Sequence, residues 1–204
     1  MQSTKRLAAA LALLIPLTMT LFGNAAGSPG GTATCSDLLV NGGFEAGPVG
    51  WTQSSSGGFD LINQFNPRSG AWGAYLAGYN EADDQLQQTL TLPAGAATAT
   101  LRAWWMLETE EPVLPNDSLT ISLLRLDGTT LADLWRIDNT EAAGLWDEAV
   151  IDLTGYAGQQ VVLQLHATTN QFDLTDFYVD DMSLQVCVSA NGPLRSYLPL
   201  VVHG

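Results

Sequence analysis

The feature that most constrains the fold is a two-residue alternation of apolar and polar side chains in short segments separated by turn residues. In residues 98–107 every second position is apolar, from Ala99 to Leu107. The same alternation recurs in 118–124 and 161–167, the Asp127-Gly128 turn leads from 118–124 into a further predicted strand over 131–137, and 177–188 is predicted as the last strand. Regularly spaced period-two strands are typical of an antiparallel sandwich or barrel.

The two cysteines, Cys35 and Cys187, bracket almost all of the alternating sequence. An even cysteine count in an exported chain indicates one disulfide, with two free thiols as the alternative. Such a bridge closes a loop of about 150 residues, worth up to roughly 5 kcal/mol in chain-entropy models. It also places both ends of the domain side by side. The sequence therefore predicts an all-β fold, a single antiparallel jelly-roll β-sandwich over residues 35–188.

The N-terminal segment predicts export. Lys5 and Arg6 precede an apolar run over residues 7–22, and small residues follow. This order is typical of a secretory signal peptide, here residues 1–25, followed by a linker over 26–34. A membrane anchor is the alternative, but spanning a bilayer takes about 20 residues. We expect a secreted or cell-surface protein with no membrane span in the mature chain, ending in a linker and short apolar tail over 189–204.

The charge of the mature chain narrows the choice of partners. Removing residues 1–25 leaves no lysine and five arginines against 21 acids, a net charge of 5 − 21 = −16. A surface this acidic repels phosphate groups, so we expect no nucleic-acid partner. It suits cations and neutral polymers.

The sequence offers no catalytic constellation. Its two histidines are His166 and His203, and it has neither a Gly-x-Ser-x-Gly nor a His-Glu-x-x-His motif. The acidic runs 81–84 and 108–111 are interpreted as solvated loops. We therefore expect no enzyme activity, with a small glycoside hydrolase that uses a pair of these acids as a further alternative.

Several segments together resemble the calcium-binding jelly-roll carbohydrate-binding modules of the galactose-binding-domain-like superfamily in secreted bacterial proteins. They are LVNGGFE at 39–45 with Gly50-Trp51, LQQTLTLP at 86–93 with 99–105, residues 146–159, and FYVDDMSL at 177–184. The resemblance covers residues 38–186. It implies that 86–93 and 99–105 form paired central strands. It implies a non-catalytic module that binds a polysaccharide or glycan. The same architecture serves adhesion and assembly domains, so a surface-protein partner is the alternative.

The resemblance also implies a structural calcium. Its ligands would be Glu45, Asp180 and backbone oxygens of the 66–70 stretch, including Asn66 and Arg68. Strand parity places Asp180 on the same face as Met182 and Leu184, so its carboxylate is predicted to be buried and to need a partner. Oxygen ligands are those that Ca²⁺ prefers. The alternative is a carboxylate satisfied by backbone N–H groups or by Arg68.

Strand parity divides the tryptophans. Trp105 falls on the apolar face and is predicted to be in the core, together with Trp51 and Trp146, whereas Trp104 lies on the opposite face. An exposed aromatic ring can stack on a sugar, and the family lines its cleft with polar residues of late strands. The alternative is a half-exposed Trp104 packed under a loop. The predicted ligand-binding residues are Trp104, Arg102, Gln164, His166, Tyr79 and Asn80.

Overall fold

A computed structural model describes residues 32–111 and 115–189. Its strands are β1 Thr34–Asp37, β2 Thr52–Ser55, β3 Ile62–Asn63, β4 Gly73–Ala77, β5 Asp83–Thr91, β6 Ala96–Thr109, β7 Ser118–Leu124, β8 Thr130–Asp138, β9 Asp147–Asp152, β10 Gln160–Thr168 and β11 Thr175–Val188. A 3-10 helix over Thr154–Tyr156 forms the bend before β10.

The strands form two antiparallel sheets, which confirms the predicted β-sandwich. Sheet A has the order β3-β4-β11-β6-β9, with β1 also paired to β11. Sheet B has the order β2-β5-β10-β7-β8. The crossovers between the sheets bring strands distant in sequence side by side, as in the pairing of β4 with β11.

The core lies between the two sheets and follows the alternation of the sequence. On β6 the inward positions from Ala99 to Leu107 are all buried, and Trp105 is only 8% exposed. On β10 the inward positions Val161, Leu163 and Leu165 are equally buried. Trp51 also belongs to the core, as predicted. Trp146 does not, because it is only partly buried and lies outside the core cluster.

The predicted disulfide is confirmed. Cys35 on β1 and Cys187 on β11 are directly paired in the antiparallel register and are bonded to each other. The bridge therefore joins the first and last strands of the sandwich within one sheet.

Local turn chemistry also agrees with the sequence. Gly128 of the Asp127-Gly128 turn has φ +84°, which suits glycine, and the turn connects β7 directly to β8. The predicted pairing of 86–93 with 99–105 is wrong. β5 lies in sheet B and pairs with β10, whereas β6 lies in sheet A and pairs with β11, so the chain changes sheets between them.

The two acidic runs are not simply solvated loops. Asp84 at the start of β5 is fully buried, and Glu111 just after β6 is 8% exposed. That interpretation is wrong for these two residues because each ends or begins a strand at the rim of the sandwich. Their neighbours Asp83, Glu108 and Glu110 are exposed, as predicted.

The predicted signal peptide, most of the linker and the apolar tail lie outside the described residues. Within 32–111 and 115–189, no helix has the length and apolar character needed to cross a membrane.

Candidate functional site

The six predicted ligand-binding residues do not form one site. Arg102 and Trp104 lie on the outer face of sheet A, on β6. Gln164 and His166 lie on the outer face of sheet B, on β10, so the core of the sandwich separates the two pairs. The alternation along each strand predicted which residues face outward, but it could not predict which of the two sheets each strand joins.

Trp104 is covered rather than open. The guanidinium carbon of Arg68 lies 3.7 Å from the centroid of the Trp104 ring, a cation–π contact. Arg68 is held there by an ion pair of 2.5 Å with Asp181. Arg68 therefore already covers one face of the Trp104 ring. This arrangement corresponds to the alternative prediction, in which Trp104 is packed under a loop.

An aromatic groove opens beside this covered region, at the β3–β4 edge of sheet A. It has a volume of about 260 Å³. Its lining residues are Phe59, Asp60, Leu61, Asn63, Tyr75, Ala77, Gly78 and Tyr79. Phe59 is 58% exposed and contacts the Tyr79 ring edge-on at 5.1 Å between centroids. We refer to this set as the aromatic groove.

A second exposed ring flanks the groove. Phe65, also 58% exposed, packs on Tyr75 with 5.2 Å between ring centroids. Tyr75 in turn stacks on its cross-strand partner Tyr178 at 5.2 Å and an interplanar angle of 12°. The exposed rings Phe59 and Phe65 thus lie in front of the partly buried Tyr75 and Tyr79, with the buried Tyr178 behind Tyr75.

Polar groups accompany the rings. The Tyr75 hydroxyl donates a hydrogen bond of 2.6 Å to Asp176, and burial, reinforced by this bond, raises the pKa of Tyr75 above its usual value. Burial also raises the pKa of Tyr178, with the charges of Asp176 and Glu108 adding to the effect. Gly78 has φ +80°, and a Cβ there would lie 1.9 Å from the Tyr75 hydroxyl, so the groove needs glycine at this position.

Of the predicted residues, only Tyr79 lines the groove, and its hydroxyl has a structural role. It donates to the buried Asp84 at 2.6 Å, and the Gly57 N–H donates to it at 2.9 Å. Its ring, not its hydroxyl, faces the groove residue Phe59. Asn80 instead donates to the Gln171 carbonyl at 3.0 Å, outside the lining.

The outer face of sheet B has a different chemistry, and we call it the amide face. Gln164 donates to Gln85 at 3.0 Å, and His166 contacts the Asp83 carboxylate at 2.9 Å. The hydrogen bond from Gln85, followed by that from His166, lowers the pKa of Asp83. A pocket of about 360 Å³ on this face is lined by Val40, Gly50, Thr52, Gln87, Gln88, Thr89 and Val162, a set without an aromatic ring.

The predicted calcium residues come together at one loop, residues 64–72. Asp180 is fully buried and accepts from the backbone N–H groups of Arg68 at 2.9 Å and Ser69 at 3.1 Å. Glu45 accepts from Ala71 at 2.9 Å and from Trp72 at 3.1 Å. These amide donors are the alternative that the sequence left open. Each carboxylate oxygen has two lone-pair sites, so the donors do not exhaust the ligand capacity of the two acids.

The burial of Asp180 was predicted correctly, but its reason was wrong. β11 has a register shift between Asp180 and Ser183, and Asp181 takes a left-handed φ of +46°. This bulge inserts one residue, so Val179 and Met182 both reach the core and Asp180 shares the outward side with its partner Trp104. The loop above it, not the core, buries Asp180, and this burial raises its pKa.

Among the described residues, no group of three or more His, Cys, Asp and Glu side chains is placed to hold a metal ion. The other two predicted calcium residues belong to the same loop. Arg68 contributes its guanidinium to Asp181 and Trp104, and Asn66 contacts Tyr178 through its side chain.

Similar solved structures share the fold at low sequence identity. TmCBM61, a carbohydrate-binding module in complex with β-1,4-galactotriose, is 16% identical with a TM-score of 0.53, over 73% of this chain and 97% of its own. The K3 cleaved adhesin domain of Lys-gingipain from Porphyromonas gingivalis W83 is 19% identical with a TM-score of 0.50, over 73% of this chain and 99% of its own. Tailspike protein 4 of bacteriophage CBA120 is 13% identical with a TM-score of 0.50, over 74% of this chain and 21% of its own.

No protein-family model and no curated protein matches the sequence. The class defined by these structures is a β-sandwich domain, a fold that carbohydrate-binding modules and adhesin domains both adopt. A shared fold does not fix a function, so the function has to be argued from the site.

Proposed function

We propose that this chain is a secreted, non-catalytic carbohydrate-binding module, and that its glycan lies in the aromatic groove. The observation that carries the proposal is the pair of exposed rings, Phe59 in the groove lining and Phe65 packed on the lining residue Tyr75. Export is supported by the disulfide between Cys35 and Cys187.

The groove has both kinds of contact that a neutral sugar needs. An exposed aromatic ring offers a flat apolar surface to the C–H face of a pyranose, while the exposed Asp60 carboxylate in the same lining accepts from Gln53 at 3.2 Å and has further acceptor sites for hydroxyl groups. Ligand sites in proteins usually combine an apolar lining with a few polar groups that fix orientation. The amide face has hydrogen-bonding groups but lacks the apolar platform.

A glycan array probed with the exported protein tests the proposal, with β-1,4-galactotriose as the first probe because TmCBM61 was solved with it. We expect Phe59→Ala to weaken binding by about 2 kcal/mol, roughly thirtyfold, as for a central aromatic contact. Leu126→Ala is the matched control, since Leu126 is similarly exposed at 60% but lies in the β7–β8 turn.

The outcomes separate the two function classes. Weakening by Phe59→Ala alone supports the groove. A wild-type protein that binds no glycan but adheres to a surface protein would replace carbohydrate binding with adhesion.

We further propose that a structural calcium binds at Glu45 and Asp180. Support comes from the convergence of both carboxylates on the 64–72 loop, where a Cβ at Gly70 would lie 2.1 Å from a Glu45 oxygen. A bound cation would offset the desolvation of the buried Asp180 carboxylate.

Thermal melts with calcium and with chelator test this site. Calcium at a hundred times its dissociation constant should stabilise the fold by about 2.7 kcal/mol. Asp180→Asn and Glu45→Gln should each remove this share of the calcium-dependent gain, whereas the exposed Asp152→Asn should keep the full wild-type gain. A gain as large as that of the wild type in both loop variants would refute calcium at this loop.

A further inference from the structure

A second group of acids lies at one rim of the sandwich, away from the 64–72 loop. Glu111 follows β6 of sheet A, and Asp117 precedes β7 of sheet B. Asn139 and Asn170, which follow β8 and β10, connect them. We call these four residues the rim cluster.

Hydrogen bonds link the members of the rim cluster. Asn170 donates its backbone N–H to Asp117 at 2.8 Å and its side-chain amide to Glu111 at 2.8 Å. Asn139 donates to the other Glu111 oxygen at 2.9 Å and accepts from the Asp117 N–H at 3.1 Å. Asn170 therefore bonds both carboxylates, that of Asp117 through its backbone and that of Glu111 through its side chain, whereas Asn139 bonds the Glu111 carboxylate and the Asp117 backbone.

One carboxylate oxygen in the cluster has no partner among the residues that the structure describes. Asp117 is fully buried, and its Oδ2 atom is buried without a hydrogen-bond donor from 32–111 or 115–189. A buried carboxylate that lacks a partner for one oxygen is costly, and proteins normally pair it or bind it to a metal. The two asparagines supply neutral donors to this cluster and no positive charge.

The basic side chains of the described residues are all engaged elsewhere. Arg68 pairs with Asp181, Arg102 with Glu148, and Arg136 with Asp138. Arg125 donates to Thr129 and to the Thr130 carbonyl, and His166 contacts Asp83. The described part of the chain therefore holds no side-chain cation against Glu111 or Asp117.

We propose that the rim cluster is a binding site for a divalent cation of the Ca²⁺ class. The Asp117 and Glu111 carboxylates supply the charge and oxygen ligands of the hard type that Ca²⁺ takes. The Asn170 side-chain oxygen accepts from the Phe172 N–H at 2.6 Å and keeps one acceptor site for the ion, whereas the Asn139 oxygen is already occupied by the N–H groups of Asn116 and Asp117. Sites in extracellular modules bind calcium with dissociation constants of about 10⁻⁴–10⁻³ M. Because Glu111 and Asp117 extend from different sheets, the ion would fasten sheet A to sheet B at this rim.

Calorimetric titration of the chelator-treated full chain with CaCl₂ tests the proposal. Asp117→Asn keeps the shape and the acceptor for the Asn170 N–H but removes the charge, and it should lower the number of calcium ions bound by one per chain. Asp173→Asn, an exposed acid of the neighbouring loop, is the matched control and should bind as wild type does. Asp180→Asn, which addresses the 64–72 loop, should leave the rim cluster's share of binding intact.

A melting series provides a readout that distinguishes a cation site from a merely structural acid. In chelator, Asp117→Asn should melt at or above the wild-type temperature because an unpaired buried charge has been removed. In millimolar calcium the order should reverse. If Asp117→Asn fails to fold, Glu111→Gln takes its place in both experiments. Two results would overturn the proposal. One is a calcium stoichiometry that Asp117→Asn leaves unchanged, and the other is an Asp180→Asn protein that binds no calcium.

Discussion

The aromatic groove and the amide face are both outward surfaces of the same sandwich, but they are built from different residues for different physical reasons. The groove lies at the edge of sheet A, where β3 spans only Ile62–Asn63 and the flanking loops bring Phe59 against Tyr79 and Phe65 over Tyr75. The amide face lies on the centre of sheet B, where the long, directly paired strands β5 and β10 present Gln85 beside Gln164.

The difference shows what each surface can bind. Gln85 and Gln164 hydrogen-bond to each other, so a ligand on the amide face would first have to replace an existing bond. The net gain from such an exchange is small. A ligand that covers the exposed ring faces of the groove displaces only water, and the burial of this apolar surface is favourable. Three further experiments sharpen this contrast between the two surfaces.

The largest effect is expected from the two adjacent tryptophans of β6, which separate the core from the outer side of sheet A. Trp105→Ala should destabilise the domain by roughly 3–5 kcal/mol, because it removes a large core side chain that packs against Trp135. Trp104→Ala removes mainly the contact with Arg68, worth about 0.5–1 kcal/mol at an exposed site. Denaturant unfolding of both variants measures the two losses. Equal losses would contradict the inward and outward assignment of the strand.

A medium effect is expected at alkaline pH and only from the sheet A side. Burial raises the pKa values of Tyr75 and Tyr178 in the folded protein above the ordinary value near 10. The folded state then holds protons that the unfolded state has released, so stability should fall as the pH rises above about 10. Tyr75→Phe should flatten this part of the stability curve, and tyrosine absorbance should show late titration. His166→Gln on the amide face is the control and should leave the alkaline limb unchanged.

The smallest effect is expected from the amide face itself. If the glycan occupies the groove, Gln164→Ala should change its dissociation constant by less than about twofold, since this side chain lies on the opposite sheet. Calorimetry with the glycan identified on the array provides the measurement. A large loss from Gln164→Ala together with an unchanged Phe59→Ala would transfer the binding site to the amide face.

The local signals of the sequence were sufficient for much of the fold. The alternation in 118–124 predicted β7 with its observed bounds, and Asp127-Gly128 predicted the hairpin that follows it. The positions of Cys35 and Cys187 predicted that the first and last strands meet. These features depend on side-chain period, turn chemistry and covalent bonding, all of which act over a few residues or one bond.

The tertiary structure alone decided which surfaces these strands share. Strand parity predicted that Trp104, Gln164 and His166 point outward. It could not predict that β6 and β10 belong to different sheets, so that the core separates Trp104 from the other two residues. The groove was not predicted because Phe59 and Phe65 lie in irregular segments without a period to analyse. A one-residue bulge at Asp181 reversed the expected side of Asp180, and a loop from over 100 residues earlier buried it. Such outcomes depend on long-range pairing and loop closure, which a single sequence does not specify locally.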